Sequence, residues 1–164
     1  MKKIVLVCFL IVASNVLLKA QISTNFSESN LNWIESYNEA KLISINENKP
    51  ILIFFTGSDW CGPCKMLVAD FFESEKFKDI ANKEFVLYKA DFPRNKSLVT
   101  AVQTKDNLKL KNKFGINSYP TICILDSKGK FVNTMKGYNS SRDTKYHYLF
   151  LNAALKKLNK KPTI

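Results

Sequence analysis

From residue 31 onward the apolar residues fall into stretches spaced three or four apart and short unbroken runs, and the two kinds alternate along the chain. Trp33, Ile34, Tyr37, Ala40, Leu42, Ile43 and Ile45 recur at broadly helical spacing, and Asn48-Lys49-Pro50 ends that helix. Ile51-Leu52-Ile53-Phe54-Phe55-Thr56 is a continuous apolar run rich in β-formers, which suits a strand covered on both faces. It stops at Gly57-Ser58-Asp59. A second helix is expected to start near Cys61-Gly62-Pro63-Cys64, where proline is tolerated in a first turn, and to run through Met66, Leu67, Val68 and Phe71. The pattern then predicts a short helix over 74–82, a strand over 85–90, a helix over 97–114 and a strand over 119–125. Asp126-Ser127-Lys128-Gly129 reads as a hairpin turn into a strand over 130–135, followed by an amphipathic helix over 142–160. Such an order, with βα units before an antiparallel hairpin and a helix, gives an α/β fold: a central mixed β-sheet flanked by helices on both faces.

Residues 1–30 follow a different rule. Lys2 and Lys3 precede an apolar run from Ile4 to Ala13, which weakens at Ser14-Asn15 and resumes through Val16-Leu17-Leu18. Charged, apolar and small-residue parts in that order are those of a secretory leader, so residues 1–20 read as a signal peptide cut after Ala20. A cut after Ser14 and an uncleaved membrane anchor are the competing readings; the stretch is near the lower limit for a span and carries a polar interruption. Residues 21–30 are polar and read as a flexible leader, with a single domain over 31–164. Export places the working protein outside the cytoplasm, in a periplasmic or extracellular setting.

Composition sharpens this picture. With 46% apolar and 12% aromatic residues among 164, and only five glycines and five prolines, the chain can bury a core and is neither disordered nor collagen-like. The formal charge is +11, yet Arg94 and Arg142 are the only arginines among 25 cationic residues. Phosphate and base-edge recognition favour the guanidinium fork, so no nucleic-acid partner is expected. Without residues 1–20 the excess is +8, from 22 cationic against 14 acidic residues. Lys156-Lys157 and Lys160-Lys161 form a basic tail that reads as a solvated face.

Loss of the leader also removes Cys8 and leaves Cys61, Cys64 and Cys123, an odd set that does not suit a disulfide-stapled scaffold. Cys61 and Cys64 stand at i and i+3 at the start of a helix, where they can close a small disulfide. Unpaired backbone N–H groups and the helix dipole favour an anion at the first of them, which predicts a lowered Cys61 pKa. A thiolate is the attacking species in thiol–disulfide exchange, so Cys61 could join a substrate and Cys64 could then release it. A passive disulfide or half of a zinc site are the alternatives. Zinc has only Cys61, Cys64, Cys123 and His147 to draw on, with no second pair at ligand spacing, so no metal site is expected.

Trp60-Cys61-Gly62-Pro63-Cys64-Lys65 resembles the hallmark run of the thioredoxin superfamily letter for letter. Phe114-Gly115-Ile116-Asn117-Ser118-Tyr119-Pro120-Thr121 resembles the segment leading into that family's cis-proline loop, and Asp126 to Lys130 with Gly137 resembles its last hairpin. The resemblance spans about residues 49–160 and implies a thioredoxin fold. It implies Cys61 as nucleophile, Cys64 as resolving thiol and Pro120 as the cis-proline facing them, with Gly62 and Pro63 between the thiols. Trp60 would cover the sulfurs, and Tyr119 would present backbone to an extended substrate segment and help select it. Gly57-Ser58-Asp59-Trp60-Cys61 and Asp91-Phe92-Pro93 look most like exported bacterial envelope members and the soluble terminal domain of a transmembrane electron carrier.

Two features depart from the family. Thioredoxins hold a buried aspartate under the resolving cysteine with a lysine nearby; here the strand 51–55 has no acid, and Lys89 holds the lysine position alone. Lys89, Asp59 or water are the candidates for moving the Cys64 proton. The proline inside the family's active-site helix is replaced near Ala69, which predicts a straighter helix. Cys123 is expected to be an inert core residue and His147 a packing or surface residue. The resemblance implies an exported, monomeric thiol–disulfide oxidoreductase that reduces or exchanges protein disulfides. It implies no cofactor beyond the Cys61–Cys64 pair, and electrons supplied by a membrane-borne donor. A disulfide oxidase or isomerase of the same fold, and a non-catalytic binding or chaperone module, are the rivals.

Overall fold

The computed structural model describes residues 31–159; the expected signal peptide and flexible leader lie outside them. Its strands are β1 (Trp33–Ile34), β2 (Ile51–Thr56), β3 (Val86–Asp91), β4 (Thr121–Leu125) and β5 (Phe131–Lys136), and its α-helices are α1 (Tyr37–Glu47), α2 (Gly62–Leu67), α3 (Glu75–Glu84), α4 (Ala101–Lys113) and α5 (Lys145–Asn159). The sheet order is β1-β3-β2-β4-β5. β3 runs parallel to both β1 and β2, whereas β4 is antiparallel to β2 and β5 antiparallel to β4.

Every residue of β2 is buried, as its unbroken apolar run requires. Alternation then divides the core. Leu52 and Phe54 face Leu67, Phe71, Phe77 and Leu151 on one side, while Ile51, Ile53 and Phe55 face Ala40, Leu110 and Ile116 on the other. Helices α2, α3 and α5 therefore cover one face and α1 and α4 the other. The chain leaves the sheet at the end of β2 straight into the Cys61–Cys64 segment, between a parallel and an antiparallel neighbour.

The structure corrects four sequence expectations. Trp33 and Ile34 do not begin the first helix; they pair with Leu87 and Tyr88 as β1. Helix α1 starts only at Tyr37, because Ser36 adopts an extended conformation and its hydroxyl accepts the Glu39 N–H at 3.4 Å. Trp33 instead packs its ring edge-on to Phe72 at 5.3 Å. Leu42 and Ile45, counted among the helical apolar positions, are 63% and 60% exposed.

The active-site helix is also not the straight α-helix expected near Ala69. It passes from α2 directly into a π-helical turn at Val68–Phe72. Adjacent residues on an α-helix point about 100° apart, yet Phe71 and Phe72 are both buried here, and the wider turn lets both rings reach the core. Asp70, between the turn's flanks, accepts the Tyr138 hydroxyl at 2.7 Å and the forked Arg142 guanidinium. Arg142, then Tyr138, hold its carboxyl down to about 2. Arg142 itself sits at φ 54°, in the left-handed region where arginine is uncommon.

The last two corrections concern helix starts. The helix expected from residue 97 is a 3-10 turn at Lys96–Leu98 followed by α4, which begins at Ala101 under a capping box between Thr100 and Gln103. Helix α5 begins at Lys145, because residues 142–144 belong to the loop that carries Arg142 to Asp70.

His147 lies inside the core, packed on Phe71 and Tyr138 with ring centroids 5.2 and 5.4 Å away. Neither ring nitrogen has a hydrogen-bond partner among the described residues. Burial pushes its pKa below 6.5, against a weaker pull upward from Asp143. In the unfolded chain the imidazole takes its proton at a higher pH than in the fold, so stability present above 6.5 is lost as pH falls below it. His147→Phe should flatten the stability–pH slope between about pH 7.5 and 5, measured by urea unfolding. An unchanged slope would mean that His147 stays neutral in both states.

Candidate active site

The turn Gly57–Trp60 carries the chain from β2 into α2. The N–H groups of Trp60 and Cys61 both donate to the Gly57 carbonyl, at 3.2 and 2.8 Å. The Trp60 indole lies over Gly57 so closely that a Cβ there would run into the ring. That explains a glycine at this point. Cys61 is the N-cap of α2, in an extended conformation, and is joined to Cys64 by a disulfide across a Cα–Cα distance of 5.2 Å. The Cys64 N–H donates to Cys61 Sγ at 3.2 Å. The cysteines are 4% and 1% exposed, whereas Gly62 and Pro63 between them are exposed.

The loop after β3 holds this turn in place. Asp91 accepts the Ser58 N–H at 2.9 Å, and the Phe92 carbonyl accepts Trp60 Nε1 at 2.9 Å. Asp59 accepts the backbone N–H groups of Arg94 and Asn95 at 3.0 and 2.9 Å. The Asn95 N–H foremost, with that of Arg94, holds the Asp59 carboxyl below the usual carboxylate range. Asp59 thus fastens the 94–95 loop. Lys65 returns to the same turn, donating to the Asp59 carbonyl at 2.9 Å.

The other wall is the Tyr119–Pro120 loop, whose peptide bond is cis. Pro120 is buried and Tyr119 half-buried. The Tyr119 ring stands edge-on to Trp60 at 5.8 Å and packs on Phe92 at 5.4 Å. Cys61, Cys64, Trp60, Gly62, Pro63, Tyr119 and Pro120 therefore lie in one place. Lys89 lies elsewhere: it is exposed on β3, in register with Phe54, and lines a cavity of about 530 Å³ with Trp33, Phe54, Phe72 and Glu73. Phe54 packs in the same core cluster as Cys64, on the strand where the family carries its acid. Cys123 is buried in β4, and burial pushes its thiol up to about 12. Among the described residues no group of three or more His, Cys, Asp and Glu side chains could hold a metal ion.

Nothing in the sequence alone marks Arg94, Asn95 or Lys111 as part of this region. Asp91-Phe92-Pro93, an acid and an aromatic before a proline at the end of a strand, is the signal nearest to them in the sequence.

A five-stranded mixed sheet with helices on both faces, a Cys-x-x-Cys pair at the end of β2 and a cis-proline loop beside it define a thioredoxin fold. The family described as Thioredoxin-like domain matches residues 37–149, and the chain belongs to it. The disulfide bond reductase DsbH of Chlamydia pneumoniae is 36% identical over 107 residues, 65% of this chain and 63% of that protein. The thioredoxin-related protein DsbJ of the same organism is 31% identical over 112 residues, 68% of this chain and 32% of that protein. The chain thus spans less than two thirds of the length of either relative. A solved structure of a DsbH oxidoreductase superposes with a TM-score of 0.69 at 33% identity, covering 77% of this chain and 85% of that one. No helix among the described residues is long and apolar enough to cross a membrane.

Proposed function

We propose that this protein is an exported thiol–disulfide oxidoreductase that reduces disulfides in other proteins. The observation that carries the proposal is the Cys61–Cys64 disulfide across the first turn of α2, with the Cys64 N–H on Cys61 Sγ, beside the Tyr119–Pro120 loop. In the reduced protein the Cys61 thiolate attacks one sulfur of a substrate disulfide, and the other substrate sulfur leaves and takes a proton. The N–H contact favours negative charge on the attacking sulfur. Cys64 then attacks Cys61 Sγ, releases the second substrate thiol and closes the Cys61–Cys64 disulfide. Two electrons have passed to the substrate, and a donor dithiol must return them.

The Tyr119 backbone N–H and carbonyl make no hydrogen bond among the described residues, so both are free to pair with an extended substrate segment. Trp60, seated over Gly57 and edge-on to Tyr119, is the side chain that would cover the sulfurs. Similarity to a disulfide bond reductase and the Gly62-Pro63 pair support the reducing direction. The leader-like residues 1–20 support export, and a membrane-borne donor suits a compartment outside the cytoplasm, where a glutathione supply is not given. Equilibrating the Cys61–Cys64 pair against a glutathione series tests the direction. A potential below that of the glutathione couple is expected; one well above it would make the protein an oxidase or isomerase.

A further inference from the structure

Around the disulfide the accessible surface combines aromatic rings with positive charge. Lys111 Nζ sits 5.4 Å from the Phe92 ring centroid and 5.6 Å from that of Tyr119, and the Arg94 guanidinium lies 5.5 Å from the Trp60 ring. Those three rings touch in sequence, from Trp60 to Tyr119 to Phe92. Lys136 reaches toward the same loop, with Nζ 3.4 Å from the Asn117 carboxamide oxygen, and Lys65 flanks Cys64. Among the described residues none of these four cations is in an ion pair. The one carboxylate in the turn, Asp59, is directed onto the backbone N–H groups of residues 94 and 95. Four side chains from four separate segments thus bring positive charge to one rim, against Asp59 and the buried Asp91, both of which are taken up by backbone N–H groups.

Charge of one sign at a docking rim selects its complement, first by steering and then by contact. Rings spread beneath Lys111 and Arg94 restrict where those cations can go, so the charges flank the path of a segment crossing Tyr119. Building on the reductase function above, we propose that Lys111 and Arg94 make this surface select protein disulfides whose flanking residues are acidic, Asp or Glu within a few positions of the attacked cysteine. The partner is an extended acidic protein segment. Its backbone pairs with Tyr119, while its carboxylates meet Lys111 on one side and Arg94 on the other.

The test uses the full chain, reduced beforehand, in single-turnover reactions with three cystine peptides that differ only in carrying Glu, Gln or Lys beside the cystine. The released peptide thiols are quantified against peptide concentration. At low ionic strength the second-order rate constant should fall from Glu to Gln to Lys, with about a tenfold span that shrinks severalfold in high salt. The difference should lie in the concentration dependence, with similar limiting rates. Arg94→Gln with Lys111→Gln should bring the three peptides to nearly equal rates, whereas Lys111→Arg should keep the order. Lys157→Gln, beside the opposite end of β2 near Asn48 and Pro50, should leave the order unchanged. Equal rates for the three peptides with the unaltered chain would overturn the acidic preference, and an order that survives the double substitution would overturn its assignment to Lys111 and Arg94; either result leaves the reductase function standing. Reduction of none of the peptides would overturn both.

Discussion

Cys61→Ser is expected to lower the rate of thiol–disulfide exchange by at least about 10³-fold, the scale on which loss of an attacking group acts. A serine hydroxyl does not attack sulfur at neutral pH, and among the described residues no other thiol can take its place. Cys64 is 1% exposed beneath the first turn of α2, and Cys123 is enclosed in β4 with its thiol pushed up to about 12. The fold should be little affected, because the substitution is nearly isosteric and the cysteine sits at an N-cap, where serine is favoured. Reduced wild type is the proper comparator, since both proteins then lack the disulfide. Turnover of a model protein disulfide is the measurement. Rates within about tenfold of each other would place the chemistry on another residue.

The largest effect on stability is expected at Phe71, in the π-helical turn. Its ring is fully buried and meets Phe72, Phe77, His147 and Tyr148 at centroid distances of 5.2, 4.7, 5.2 and 5.0 Å. Those partners come from the turn itself, α3 and α5, so the hole left by alanine cannot close by moving one side chain. Phe71→Ala should cost about 3–5 kcal/mol in urea unfolding. Leu42→Ala or Ile45→Ala, on the exposed face of α1, should stay within about 0.5 kcal/mol of wild type. Similar losses at Phe71 and Leu42 would contradict the placement of the core around the π turn.

Much of this arrangement can be read from the sequence, for reasons that differ by element. The run Ile51 to Thr56 announces a fully covered strand because every position must be apolar when helices lie on both faces. Cys61 and Cys64 are legible because their spacing alone allows a disulfide across one helical turn, and Pro120 because the segment before it resembles the family's loop. Trp33-Ile34 is misread as helix because a two-residue strand has no periodicity of its own; it exists only through pairing with Leu87 and Tyr88. The π turn is equally hidden, since it answers to the simultaneous burial of Phe71 and Phe72. Sequence places Asp59 among the candidates for proton transfer, but its partners are backbone N–H groups thirty-five and thirty-six residues away. Lys111 is likewise one of many lysines until the fold sets it over Tyr119.

The central claim is that Cys61 joins substrate covalently and Cys64 resolves that bond. Mixing reduced Cys64→Ser protein with a disulfide-containing protein and measuring the mass of the products under non-reducing conditions tests it most directly. A stable one-to-one adduct linked through Cys61, and reversed by dithiol, is the expected result. No adduct, or one linked through Cys123, would contradict it.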